Sequence, residues 1–284
     1  MPPERRTHPG IVGGVAAALT LGVLAIGATA LVGGETGGPA TPGAILWSDE
    51  FDGPAGAQLD SSRWRYQTGG GGWGNHEWQT YRAENGVLDG EGHLVLSARI
   101  DESAPPEERY TSARMVSVGT VSEGLVEARI RLPDGAGLLP AFWMLGADID
   151  EVGYPASGEI DVVEIPGAST HSAHTLHAPD PRDGGPGSHG QVTVDVDHAV
   201  PLSDDFHVFG VRKEADRVTF LIDGQEVGTV ERDQVADRLA WPFDKPFTLL
   251  FSLAIGGDWP GPPDASTPAE SQMVVDWVRV RALD

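Results

Sequence analysis

Gly158-Glu159-Ile160-Asp161-Val162-Val163-Glu164 places three carboxylates within six residues, spaced by β-branched aliphatics. Valine and isoleucine at this density argue for a strand, whose successive side chains point to opposite faces. Glu159 and Asp161 then share one face, and Ile160 and Val162 share the other. Glu164 has the wrong parity and in a regular strand would be buried with the aliphatics. One extra residue at Val162-Val163, a β-bulge, returns it to the face of Glu159 and Asp161. Two glutamates on one face, with an aspartate between them, are the equipment for an acid and a nucleophile acting on a glycosidic bond. A half-exposed strand also alternates acid and aliphatic for purely structural reasons, so the rest of the chain has to decide.

The chain has 284 residues and a formal net charge of −23. That charge argues against nucleic acid and anionic membrane surfaces, which call for basic patches, and disfavours a polyanionic substrate. A neutral polymer is unaffected. There is no cysteine, hence no disulfide framework and no thiolate metal site. The 38 glycines and 22 prolines suit many strands joined by turns.

Arg5 and Arg6 precede an apolar run from Ile11 to Val32 that ends near Ala28-Thr29-Ala30. Residues 1–30 are expected to be an export signal, with an uncleaved anchor as the alternative, and 31–43 a flexible linker. Residues 44–284 are expected to form one domain. Strands are predicted at His93–Ile100, Gly124–Leu132, Phe247–Ile255 and Met273–Val280. A hairpin is predicted where Arg217–Ile222 and Gln225–Val230 flank Asp223-Gly224. The only short helical stretch is Arg232–Leu239. The pattern predicts an all-β fold, a two-sheet β-sandwich or jelly roll. Among eight tryptophans, Trp47, Trp64, Trp241 and Trp277 read as core. Trp73 and Trp259 stand among glycines, as loop residues around a cleft do.

These segments together resemble glycoside hydrolase family 16. Glu159-Ile160-Asp161-Val162-Val163-Glu164 is similar to that family's signature. Trp47 to Gly53, the Gly-rich Gly69 to Gln79, Tyr110 to Arg114, Pro140 to Leu145, Gly256 to Gly261 and Gln272 to Val280 match it in order and spacing. The bulged spacing of the glutamates and the other motifs look most like laminarinases, which are endo-β-1,3-glucanases. The resemblance implies a concanavalin A-like lectin/glucanase jelly roll with a cleft. It implies a retaining mechanism, with Glu159 as nucleophile, Glu164 as general acid/base, and Asp161 hydrogen-bonded to the nucleophile. It implies that Trp143 floors the central subsite, while Asn75, Arg114, His177, Trp259 and Gln272 hold neighbouring sugar rings. Leu139 and Tyr154 depart from laminarinases, which usually have tryptophan there, and Ala178 departs from the family's His-Gly-Pro turn.

The resemblance further implies a structural calcium held by Glu50, Asp276 and the Gly92 carbonyl, with no cofactor required for the chemistry. The expected partner is a β-glucan polysaccharide, with neither nucleic acid nor membrane engaged by the mature domain, and an exported monomer is expected. The competing readings are an agarase-like galactan hydrolase, a cell-wall transglycosylase, and, from another class, a glucan-binding protein without catalysis.

Overall fold

The computed structural model describes residues 43–283, apart from 107, 184 and 186; the expected export signal and nearly all of the linker lie outside the described residues. Seventeen strands follow one another: β1 Ile45–Asp49, β2 Trp64–Tyr66, β3 Thr80–Tyr81, β4 Gly86–Leu88, β5 Leu94–Ile100, β6 Tyr110–Ser112, β7 Arg114–Ser117, β8 Gly124–Arg131 and β9 Leu138–Gly146. The chain continues with β10 Glu159–Glu164, β11 His171–Ala178, β12 Gly190–Asp197, β13 His207–Lys213, β14 Arg217–Ile222, β15 Gln225–Glu231, β16 Phe247–Ile255 and β17 Glu270–Arg281. Among the described residues a 3-10 turn at Ala83–Asn85 and two single-turn α-helices, α1 Ile149–Val152 and α2 Arg232–Val235, interrupt them. Of the two α-helices, only the second was expected.

The strands form two sheets. Ten belong to one, in the order β15-β14-β13-β8-β17-β5-β6-β3, with β1 added to β17 and β4 to β5. Seven form the other, in the order β12-β11-β10-β9-β16-β7-β2. The alternation read from the sequence is the alternation of burial. In β8, Val126, Ala128 and Ile130 are buried, while Leu125, Glu127 and Arg129 are half-exposed. The Asp223-Gly224 hairpin forms as expected, with φ of 49° and 74°, which suits a tight turn matched to strand twist.

The inward faces of both sheets meet in one apolar core that includes Leu94, Leu96, Phe142, Met144, Ile160, Val162, Phe220 and Phe251. A second, small cluster (Val116, Ala141, Trp143 and Leu250) is separate from it. Its members alternate with core residues along β7, β9 and β16, so it lies on the outer face of the seven-stranded sheet.

The bulge is present. Along β9, Asp161 pairs with Trp143 and Val163 with Phe142, and the register slips between them. Along β11 the slip falls between Asp161, opposite Thr175, and Glu164, opposite Ala173. Val162 and Val163 are both fully buried in the core. Burying each valine stabilises by about 1.5–3 kcal/mol, more than the ~1 kcal/mol cost of a lost ladder bond. A regular register would instead drive the Glu164 carboxylate into the core, at a cost of several kcal/mol.

Candidate active site

Register across the seven-stranded sheet builds the site in rows. His177, Glu159 and Leu145 stand side by side on β11, β10 and β9. The next row is Thr175, Asp161, Trp143, Leu250 and Val116. The third is Ala173, Glu164, Ala141, Ser252 and Arg114. The bulge therefore returns Glu164 to the face that carries Glu159 and Asp161.

Asp161 is only 2% exposed, and its Oδ2 lies 3.1 Å from His177 Nε2. Ligand atoms of Glu159, Asp161 and His177 lie within 4.8 Å of one another, the one trio among the described residues close enough to hold a metal ion. Both nitrogens of His177 are already committed, however. Nε2 faces Asp161, and Nδ1 is 2.9 Å from His189 Nε2, with Tyr154 Oη 3.1 Å from that same atom. The two imidazole planes are 15° apart with centroids at 5.0 Å, an edge-to-edge pair.

The two glutamates experience different fields. Burial raises the Glu159 carboxyl above its ordinary range, and the charge of Asp161 adds to the rise, but His177 and Arg114 both oppose it. Burial also raises Glu164, well above the ordinary value, and its charged neighbours are all acids: Asp161, Glu159 and Glu77. Glu159 therefore ionises first and Glu164 keeps the proton. Burial disfavours the charged form of His177, yet its bond to Asp161 and the charges of Asp161 and Glu159 outweigh burial and raise its pKa.

A glycine-rich wall stands beside the carboxylates. Arg114 is sandwiched between Trp73 and Trp143, 4.7 and 4.6 Å from the ring centroids, and its Nε donates to Gln67 Oε1 at 2.6 Å. Trp143 is 8% exposed and its indole N–H donates to Ser252 Oγ at 3.1 Å. Its ring supports Arg114 and is largely covered. The loop carrying Asn75 packs on the loop carrying Trp259. The Asp258 amide donates to the Asn75 carbonyl at 2.9 Å, and His76 Nδ1 meets Asp258 Oδ2 at 2.7 Å. Gly256 and Gly257 permit this approach. Both have positive φ, and a Cβ would lie 2.6 Å from the Trp78 ring or 2.8 Å from Asn75. Trp259 is 47% exposed. Leu139 is buried in β9, and Tyr154 is 49% exposed.

Gln272 does not join this group. It pairs with Ser97 across β17 and β5 in the other sheet, between the inward-facing Ser271 and Met273, and so points outward from the opposite side of the sandwich. Its amide is 3.2 Å from Glu270. Conversely, Glu77 was not singled out by the sequence reading. Its carboxylate accepts hydrogen bonds from Gln79 at 2.6 Å and Tyr81 at 3.1 Å, burial raises its pKa, and its charge reaches Glu164. The i, i+2, i+4 spacing of Glu77, Gln79 and Tyr81 is the trace it leaves in the sequence.

The expected calcium ligands lie away from these rows. A Cβ placed on Gly92 would be 3.8 Å from Asp52 Oδ1 and 4.0 Å from the Glu50 carbonyl, so hard oxygen donors do gather there. The Glu50 carboxylate is held by Arg279 at 2.7 and 3.1 Å, and Asp276 by Arg129 at 2.5 Å. The donors suit calcium only if those arginines give way.

A two-sheet sandwich that carries two glutamates in unequal electrostatic surroundings on one face is suited to the chemistry of a glycoside hydrolase. A family model described as the GH16 domain of β-porphyranases A–D matches residues 46–283. The chain is 36% identical over 252 residues to a β-glucanase of Rhodothermus marinus, covering 83% of this chain and 84% of that protein. It is 35% identical over 250 residues to a glucan endo-1,3-β-glucosidase of Cryptopygus antarcticus, covering 82% and 90%. The laminarinase catalytic domain of Thermotoga maritima matches with a TM-score of 0.75 at 36% identity, over 86% of this chain and all of that one. The chain belongs to glycoside hydrolase family 16.

The opposing fields predict opposite shifts in the pH profile. If Glu159 acts as the ionised carboxylate and Glu164 as the protonated one, kcat/KM rises through the first titration and falls through the second. His177→Ala removes a cation that favours ionised Glu159, and the acid limb moves to higher pH. Glu77→Gln removes a negative charge that favours protonated Glu164, and the basic limb moves to lower pH. Profiles of both variants check this; parallel movement of both limbs would contradict it.

Proposed function

We propose that this enzyme cleaves internal β-1,3 linkages of a β-glucan, including mixed β-1,3/1,4 chains, with retention of configuration and as a monomer. The observation that carries the division of labour is the company the two glutamates keep. Glu159, beside His177 and Arg114, is the carboxylate that attacks the anomeric carbon. Glu164, surrounded by acids, holds the proton for the leaving oxygen and then takes one from the incoming water. Asp161, between Glu159 and His177, adjusts the charge on the nucleophile. These side chains suffice for the chemistry without a cofactor.

The substrate assignment rests on the β-1,3-glucanase relatives and on charge. With a net charge of −23, the chain repels anionic polymers and leaves neutral glucan unaffected. The porphyranase description of the family model favours a second reading, a galactan hydrolase. Incubation with laminarin, lichenan, agarose and xyloglucan side by side separates them. Laminarin is expected to yield short β-1,3-linked oligosaccharides. Release from agarose with laminarin intact would establish the galactan reading, glycosyl transfer between xyloglucan chains would indicate a transglycosylase, and binding without products would leave only recognition.

The charged, apolar and small-residue order of residues 1–30 supports export of the mature domain. A mature N-terminus near Leu31 by mass spectrometry would bear this out, and an intact N-terminus on membrane-bound protein would favour the anchor. Glu50, Asp276 and the Gly92 carbonyl would hold a structural calcium in exchange for the arginine pairs. Calcium at ~100 Kd would add about 2.7 kcal/mol to stability. Restoring calcium to chelator-treated protein is therefore expected to raise Tm by several degrees, and an unchanged Tm would remove the ion from the account.

A further inference from the structure

His174 is a histidine in the wrong place for an ordinary core. Along β11, Ala173, Thr175 and His177 stand on the carboxylate face, in register with β10. Ser172, His174 and Leu176 therefore point between the sheets. His174 is fully buried, with its ring 5.6 Å from that of Phe220. An imidazole buried among apolar side chains is costly unless both nitrogens find partners.

Both do, in a way that leaves no freedom. His174 Nδ1 lies 2.6 Å from the Val162 carbonyl. A carbonyl only accepts, so Nδ1 carries the hydrogen and Nε2 carries the lone pair. Nε2 is 3.1 Å from Ser172 Oγ, which must donate to it, and Ser172 Oγ is 2.9 Å from His198 Nε2, which must donate in turn. Burial keeps His174 neutral, its pKa pushed down to about 4, as this arrangement requires. Val162 is the first residue of the bulge, where the ladder to β11 jumps from Thr175 directly to Ala173. His174 is the residue skipped. Its side chain thus bonds the backbone where the ladder is interrupted.

We propose that His174 is a positioning residue for the general acid: its Nδ1–H bond to the Val162 carbonyl holds the bulge, and the bulge turns Glu164 out of the core and onto the carboxylate face. The inference rests on the reading of Glu164 as the acid. It makes a histidine in the interior, on the side of the sheet away from substrate, set the rate of the chemical step. A residue that merely filled the core would affect every substrate alike.

The test uses two substrates. Laminarin has a poor leaving group and needs the acid; a dinitrophenyl β-laminaribioside has a good one and hardly needs it. His174→Leu keeps the bulk and removes the donor. It is expected to lower kcat/KM on laminarin by about 10²-fold, the scale of an ångström-sized misplacement, and to leave kcat/KM and the burst rate of the aryl substrate, which report the first step alone, within a few-fold of the unaltered enzyme. His174→Asn sets an amide N–H near the place of Nδ1–H and is expected to recover most of the loss. Equal losses on both substrates, or full activity of folded His174→Leu on laminarin, would overturn the proposal. Should His174→Leu not fold, nitrogen NMR of the unaltered protein decides. A histidine fixed as the Nδ1–H tautomer, not titrating between about pH 5 and 8 and absent from the His174→Asn spectrum, is expected. An Nε2–H tautomer would refute it. Full activity of Glu164→Ala on laminarin would overturn the underlying reading and the proposal with it, whereas an inactive Glu164→Ala beside a non-selective His174→Leu overturns the proposal alone.

Discussion

Replacing Glu159 with alanine is expected to reduce hydrolysis of laminarin by at least about 10⁴-fold, with binding of the glucan little changed. The size of the loss follows from the site. Asp161 is the nearest other carboxylate, but it is 2% exposed and engaged with His177, so it has no approach to a sugar carbon. Without Glu159 the covalent route is closed. The loss should be insensitive to the leaving group, because the missing step is formation of the glycosyl-enzyme and not protonation. A variant that recovered substantially on an activated aryl glycoside would show that another group attacks.

Replacing Glu164 with alanine is expected to act differently. On laminarin the rate should fall by about 10²–10⁴-fold, the range for loss of a positioned acid. On a dinitrophenyl glycoside the first step should be nearly normal, since the leaving group departs without a proton, and the intermediate should then accumulate because no base activates water. A rapid burst followed by slow turnover is the expected time course. The basic limb of the pH profile should vanish with the carboxyl that produces it. A retained basic limb would place the titrating acid elsewhere, and Glu77, whose charge reaches Glu164, would be the next candidate.

What could be read from the sequence was what depends on neighbours along the chain. Alternation located β5 and β8 closely, the Asp223-Gly224 turn located β14 and β15, a continuous apolar run located β16, and the wrong parity of Glu164 announced the bulge before any partner strand was known. What could not be read depends on which strand lies alongside. Gln272 was expected beside the sugar from the resemblance, but it faces outward from the other sheet; alternation reports a face without saying whose. The resemblance places Trp143 on the subsite floor, and only the fold, which sets Arg114 on β7 within reach of β9, shows that a guanidinium covers its ring. Glu77 lay inside a quoted stretch and was passed over, because its importance comes from Tyr81, Gln79 and Glu164 converging on it. His174 carries no spacing or motif that sets it apart from the other histidines of the chain. Its partner is a backbone carbonyl, which no sequence motif records.

The most direct test of the account is the configuration of the products when azide replaces the missing carboxylate. With Glu159→Ala, azide should enter the vacated space and attack an activated β-glycoside from the opposite face, giving the α-glycosyl azide. With Glu164→Ala, Glu159 should first form the covalent intermediate, and azide should then displace it to give the β-glycosyl azide. Proton NMR of the anomeric signal distinguishes the two. Opposite anomers, α from the first variant and β from the second, are the result that Glu159 as nucleophile and Glu164 as acid/base predict. The reverse assignment of anomers, or full activity of either variant on laminarin, would contradict it.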